Sequence, residues 1–145
     1  MDPQTEKELL LAFHSPTAEL AQALAGPCAV LRKARANKLI TGLASNTPLP
    51  GFCHDLTLAR LGLGDLLSFR CYSYELGLRK PDSEFFLHCL QAAGVAPREA
   101  IMLGDSLEAD IRPASRLGMR TLQVTASNRD SEAEAIRQFE EALSE

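Results

Sequence analysis

Apolar positions in this chain fall into two rhythms, helical spacing at both ends and short uninterrupted runs between polar turns in the middle. Thr5-Glu-Lys-Glu8 has capping-box spacing and predicts a helix over about Glu6–Phe13. Ser15-Pro16 then predicts a break, followed by a second helix from about Pro16 to Ala25 that Gly26-Pro27 stops. Cys28–Ala36 reads as a third, with Val30, Leu31 and Ala34 inward and Arg32, Lys33 and Arg35 in solvent. The pattern changes at Leu39, where a mostly apolar run reaches Ala44 and stops at Ser45-Asn46-Thr47. Phe52–Leu61 is expected to be helical, ending at Gly62 and Gly64, with a short strand near Phe69–Tyr72 behind it. After the turn Gly77-Leu-Arg-Lys-Pro81, a helix over Ser83–Ala93 presents Phe85, Phe86, Cys89 and Leu90 on one face and closes at Gly94. Ile101-Met-Leu103 is too short for a helix and ends in Gly104 and an acidic turn, as a strand buried on both faces would. Pro113 disfavours an early helix start, so the regular helix is expected near residue 112, with Asp105–Asp110 as loop. Arg120–Thr125 reads as a last strand. Ser131-Glu-Ala-Glu134 is a second capping box, opening a helix with Ile136, Phe139 and Leu143 on one side.

Helices followed by strand and helix in alternation specify an α/β fold with a parallel, Rossmann-like sheet flanked by helices. Right-handed crossovers then put the polar strand ends at Ser45 and Asp105 on one edge of that sheet, where ligands collect in open α/β folds.

Composition narrows the partners more than the fold. At 145 residues, 46% hydrophobic and 23% charged, the chain has the make-up of a globular domain with a real core. Its formal charge of −4 offers no field to nucleic acid or to an anionic membrane, and neither is expected as a partner. No apolar run approaches the roughly 20 residues of a membrane span, and the acidic N-terminus is unlike a signal peptide, so a cytoplasmic location is expected. Cys28, Cys53, Cys71 and Cys89 contain no C-x-x-C pair and read as buried, reduced thiols. His14, His54 and His88 lack ligand spacing and read as surface or satisfied side chains.

Three polar signals remain: Ser45-Asn46 after one strand, Lys80-Pro81 at a helix entry, and Gly104-Asp105-Ser106 with Asp110 after another strand. Each has a structural explanation, since Asp105 and Ser106 could simply cap the next helix. Jointly they fit a phosphoryl group, with a hydroxyl and amides to cradle it, a lysine to neutralise it, and carboxylates for a hard cation such as magnesium.

These segments closely resemble the motifs of the haloacid dehalogenase-like hydrolase superfamily, in its phosphatase and dehalogenase branch. Gly42-Leu-Ala-Ser-Asn-Thr47 resembles the second motif, Glu75-Leu-Gly-Leu-Arg-Lys-Pro-Asp82 the third, and Leu103-Gly-Asp-Ser-Leu-Glu-Ala-Asp-Ile111 the fourth, within a resemblance running from about Cys28 to Thr125. The resemblance implies that Ser45 binds the phosphoryl group with support from Asn46, and that Lys80 holds both its charge and the nucleophilic carboxylate. It further implies that Asp105 binds Mg2+ and that Asp110 positions the metal's shell or the lysine. Ala109 stands where the family often has asparagine. The family's first motif, a strand ending D-x-D-x-[TV] that supplies the nucleophile, has no counterpart here, because Asp2, Asp55, Asp65 and Asp82 lack the preceding apolar run and the partner carboxylate.

On this reading residues 1–27 are a helical remnant resembling the end of a cap, residues 28–145 are the α/β core, and the first strand and most of the cap are missing. The implied activity is magnesium-dependent hydrolysis of a small phosphorylated or halogenated substrate, incomplete in this chain alone. Alternatives are a non-catalytic phosphate- or metal-binding module acting through a partner, and a receiver-type phosphoacceptor at Asp105. Closure of the two flanking strands on each other, self-association, or completion by a missing N-terminal segment is expected of a sheet without its central strand.

Overall fold

Period-two alternation decides the centre of the molecule. In the computed structural model, which describes the backbone of residues 1–145 and the side chains of all but residues 13 and 15–18, strand β3 spans Ile101–Gly104. Ile101 and Leu103 turn to one side, against a cluster of Val30, Ala34, Leu122, Ala135 and Phe139. Met102 turns to the other, against Phe86 and Ala114. Helices α2 (Ala25–Ala36) and α7 (Glu132–Ser144) thus cover one face of β3 and its parallel neighbour β4 (Arg120–Gln123). Helices α5 (Ser83–Ala93) and α6 (Arg112–Arg116) cover the other. The result is the expected α/β architecture.

A second parallel pair joins β1 (Gly42–Ser45) to β2 (Phe69–Tyr72), with Gly42 opposite Phe69 and Ser45 opposite Tyr72. Each pair is a two-stranded sheet of its own. Among the described residues, β1 and β3 are each bonded on one edge only, so the two strands do not close on one another. Helix α5 spans the division, packing against β1, β2 and α6. Its Phe85 and Phe86 are buried almost completely.

The elements differ from the sequence pattern mainly at the N-terminus. Helix α1 is continuous from Pro3 to Leu20, without the break expected at Ser15-Pro16, whose side chains lie outside the described residues. A proline removes one bond from a helical ladder and need not end it. The helix starts from Asp2, whose Oδ1 accepts from the backbone N–H of Gln4 (3.0 Å) and Thr5 (3.1 Å), so the Thr5–Glu8 capping box is not the start. Gly26-Pro27 does not stop a helix either. Both lie in the first turn of α2, where a missing N–H would be unpaired in any case. Helix α3 (Gly51–Arg60) and the last helix fall where expected, and Ser131 caps the latter by accepting from Glu134 N at 3.3 Å. Strand β1 is shorter than Leu39–Ala44, with Leu39 and Ile40 exposed ahead of it. One short helix, α4 (Ser73–Leu76), carries no sequence signal of its own and follows β2 directly. No helix among the described residues is long and apolar enough to cross a membrane.

Candidate active site

The carboxyl ends of β1 and β3 meet through three side chains drawn from three segments. Asn46 follows β1, and its side-chain amide grips the peptide of Lys80 from both sides, donating from Nδ2 to the Lys80 carbonyl and accepting at Oδ1 from the Lys80 N–H, each at 2.8 Å. Lys80 lies in the turn before α5. Its Nζ donates to Asp110 Oδ1 at 2.5 Å, and the two side chains are only 13% and 4% exposed. Asp110 reaches this position from beyond β3. Its other oxygen accepts from Ser106 N at 3.1 Å, which ties the carboxylate to the turn it came from.

The turn after β3 is neither the expected loop nor a regular helix. Leu107–Ile111 forms a π-helical turn that runs into α6, with Ser106 as its cap, accepting at Oγ from Ala109 N at 3.0 Å. Pro113 explains the order, because a proline fits the first turn of α6 and the wider turn absorbs the residues in front of it. Gly104 is required where the strand gives way. A Cβ there would stand 2.5 Å from the Asp110 side chain, so only glycine lets the buried carboxylate lie against the strand end.

Of the five residues singled out in the sequence, Asn46, Lys80 and Asp110 are joined in one chain of hydrogen bonds. Ser45 is the last residue of β1, half-buried and next to Asn46. Asp105 follows Gly104 at the end of β3 and is exposed; its carbonyl accepts from Gln123 Nε2 at 3.3 Å, and its carboxylate has no hydrogen bond or ion pair among the described residues. Asp110 is therefore committed to the lysine, and Asp105 is the carboxylate left open at the strand end. Among the described residues, no three His, Cys, Asp or Glu side chains form a ready metal cage. One open carboxylate still fits magnesium, which is commonly held by one or two carboxylates, waters and substrate phosphate oxygens.

Sequence reasoning missed the support beneath the β1 turn. Thr47 N donates to Ser73 Oγ at 2.9 Å and Ser73 Oγ donates back to Thr47 O at 3.2 Å, so α4 fixes the turn by its backbone. Glu75 Oε1 accepts from Gly51 N at 2.5 Å, holding the start of α3. Glu75 stood in the quoted third motif, but nothing in the sequence marks Gly51 as its partner.

The arrangement of a polar β1 end, a gripped lysine and a glycine–aspartate turn after β3 can be compared with known proteins. A family model of haloacid dehalogenase-like hydrolases matches residues 8–118, more than half of the chain. The chain belongs to this family. It is 36% identical over 107 residues to a phosphoserine phosphatase of Thermus thermophilus, covering 74% of this chain and 42% of that protein. It is 39% identical over 67 residues to a glyceraldehyde 3-phosphate phosphatase of Methanopyrus kandleri, covering 46% of this chain and 29% of the relative. Among solved structures, a HAD phosphatase from Thermococcus onnurineus superposes with a TM-score of 0.59 at 29% identity, over 66% of this chain and 43% of that one. The chain thus spans less than half the length of each of these three relatives. Family membership accounts for the fold and for the quoted motifs together.

Proposed function

We propose that this chain carries the phosphate- and metal-holding side of a magnesium-dependent phosphatase site, which an extended segment ending in a carboxylate completes between β1 and β3. The observation behind this reading is the Asn46–Lys80–Asp110 chain, which spans the division between the two half-sheets and fixes one ammonium at the ends of both strands. Lys80 is held by its backbone through Asn46 and by its head group through Asp110, so its charge is preorganised where a phosphoryl oxygen would sit. Ser45 contributes a hydroxyl to the same oxygens. Asp105 would hold Mg2+, which when bound supplies positive charge against the phosphoryl oxygens. The substrate class is a small phosphorylated molecule rather than a halogenated one, because the relatives named above are phosphatases.

The described residues supply no nucleophile at this site. Ser45 has no neighbouring base, since His54 Nε2 is engaged by Thr47 Oγ1 at 2.5 Å, and a hydroxyl needs such a base to attack at neutral pH. The free edges of β1 and β3 are the place for a completing strand, because buried N–H and C=O groups left unpaired cost about 1–3 kcal/mol each. All four cysteines are free thiols, as suits a cytoplasmic protein.

The test is hydrolysis of p-nitrophenyl phosphate with magnesium, in the presence of a synthetic apolar strand ending Asp-x-Asp. Turnover that appears with this peptide, and is absent with its Asn-x-Asn counterpart, is the expected result. Equal turnover without any peptide would overturn the reading. Phosphate binding unchanged by peptide, with no turnover under any condition, would favour a binding module instead.

A further inference from the structure

Below the phosphate-holding turn lies a second polar chain that the site chemistry does not use. Thr47, the third residue of the turn, is buried, and its hydroxyl accepts from Leu49 N at 3.0 Å and lies 2.5 Å from His54 Nε2. The His54 ring, on α3, stacks on Tyr72 with centroids 5.5 Å apart. On another side it meets His14 of α1 edge-on, at 5.2 Å and 69°. His14 is only 8% exposed, and its Nε2 is 3.1 Å from Thr57 Oγ1 of α3. Helix α1 packs on α3, so these two rings connect α1 to the turn after β1 without a break.

Among the described residues, the groups facing this pair are few. On α3, Asp55 is taken by the Tyr72 hydroxyl at 2.8 Å and by Arg70 Nε of β2 at 3.2 Å. On α4, Glu75 is taken by Gly51 N. From α1 the facing group is His14 itself, while Lys7 lies over the Phe52 ring, 5.5 Å from its centroid. Burial, then the neighbouring His14, push His54 below the ordinary histidine value, against a weaker upward pull from Asp55 and Glu75.

The hydroxyl geometry makes the proton count. In the neutral tautomer that carries its proton on Nδ1, His54 accepts at Nε2 from Thr47 Oγ1. With His54 protonated, Nε2 must donate instead and the hydroxyl must turn to the Leu49 carbonyl, 3.3 Å away, while the ring brings a charge against His14. We propose that His54 is a positioning residue of the Ser45–Asn46–Thr47 turn, and that its ring pair with His14 makes the setting of that turn and the docking of α1 respond to one proton. The turn's role in holding phosphate rests on the function proposed above; the coupling itself does not. The sign follows from the lowered value of His54: its neutral ring stabilises the seam fully above the ordinary histidine value, and this is lost as pH falls through it towards the depressed one.

The test is an NMR titration of the full chain from pH 8 to 5, following the His54 imidazole, the amides of Thr47 and Leu49, and those of Leu10 and Leu11 on α1. One shared midpoint below the ordinary histidine value is expected for all of them. In His14→Phe, which keeps an aromatic edge without the charge, the His54 midpoint should rise and the α1 transition should vanish; His14→Gln serves as the second variant should the first fold poorly. In His54→Gln the Thr47 transition should disappear. Separate midpoints for Thr47 and α1, or a His54 midpoint indifferent to both His14 variants, would overturn the proposal. Titration with inorganic phosphate at each pH adds a second readout: once the ligand's own change from dianion to monoanion is divided out, affinity is expected to fall several-fold across the transition in the native chain and to stay flat in His54→Gln. Failure to bind phosphate at any pH would count against the reading of the site and leave the amide midpoints to decide the coupling.

Discussion

Asn46 holds the backbone of Lys80 at both its N–H and its carbonyl, 34 residues along the chain, with two bonds of 2.8 Å. An asparagine is the side chain that can do this, because it offers a donor and an acceptor in one plane at the right separation. Replacing it with alanine removes two neutral hydrogen bonds near the surface. Asn46→Ala is therefore expected to reduce stability by about 1–2 kcal/mol, and Asn46→Asp to fail to rescue it because a carboxylate cannot donate to the Lys80 carbonyl. Urea denaturation checks the first effect, and the Lys80 amide shift checks the second. Equal stability of all three proteins would contradict this role.

The Lys80–Asp110 pair lies out of solvent, and removing one partner should be worse than removing both. Lys80→Met leaves a buried carboxylate with only the Ser106 N–H for company and is expected to destabilise by about 3–5 kcal/mol. Asp110→Asn keeps an acceptor for Ser106 and should be milder. The double variant is expected to recover part of the Lys80→Met loss, and a thermal denaturation cycle measures this. Strictly additive effects would show that the pair is not coupled.

Gly104→Ala tests the strand end. The added Cβ would meet the Asp110 side chain at 2.5 Å, closer than real carbons approach, so Asp110 must move away from Lys80. The variant should fold, lose stability by about 1–3 kcal/mol as overpacked sites do, and show a displaced Lys80 Nζ resonance. An unchanged Lys80 environment would show that Asp110 has room the structure does not give it.

Much of this was legible in the sequence, for reasons that differ by element. Ile101-Met-Leu103 ended at a glycine and an aspartate, and a run that short between turn residues could only be a strand, so its place at the centre followed. Ser83–Ala93 came out to the residue because its apolar face and Gly94 are strong local signals. The N-terminal helices are not legible in this way, because Ser15-Pro16 looks like a break and Gly26-Pro27 like a stop, whereas proline in a first turn is neutral and within a helix need not end it. At the site, residue types and spacing single out Asn46, Lys80 and Asp110, and the resemblance leaves open whether Asp110 positions the metal's shell or the lysine; the structure pairs it with the lysine through a π turn no periodicity announces. Spacing marks His54 only as a satisfied or surface histidine. It is satisfied, but by Thr47 of the turn and beside His14, a relationship 40 residues apart that only packing reveals.

Without a completing strand the chain should hydrolyse generic phosphate esters negligibly, because loss of a nucleophile removes the reaction path itself. Its free β1 and β3 edges should also favour self-association. A colorimetric phosphatase assay with magnesium and sedimentation over a concentration series check these two outcomes. Turnover that is lost in Ser45→Ala would point to serine chemistry and against this account, and a monomer at all concentrations would contradict open edges.

The most direct test of the central claim is where inorganic phosphate binds. Titrating phosphate and then magnesium into the full chain, followed by amide shifts, should perturb Ser45, Asn46 and Lys80 with phosphate and residues 104–110 with magnesium, and each ion should strengthen the other's binding. Perturbation centred elsewhere, for instance on Arg32, Lys33 and Arg35 of α2, or none at the ends of β1 and β3, would contradict it.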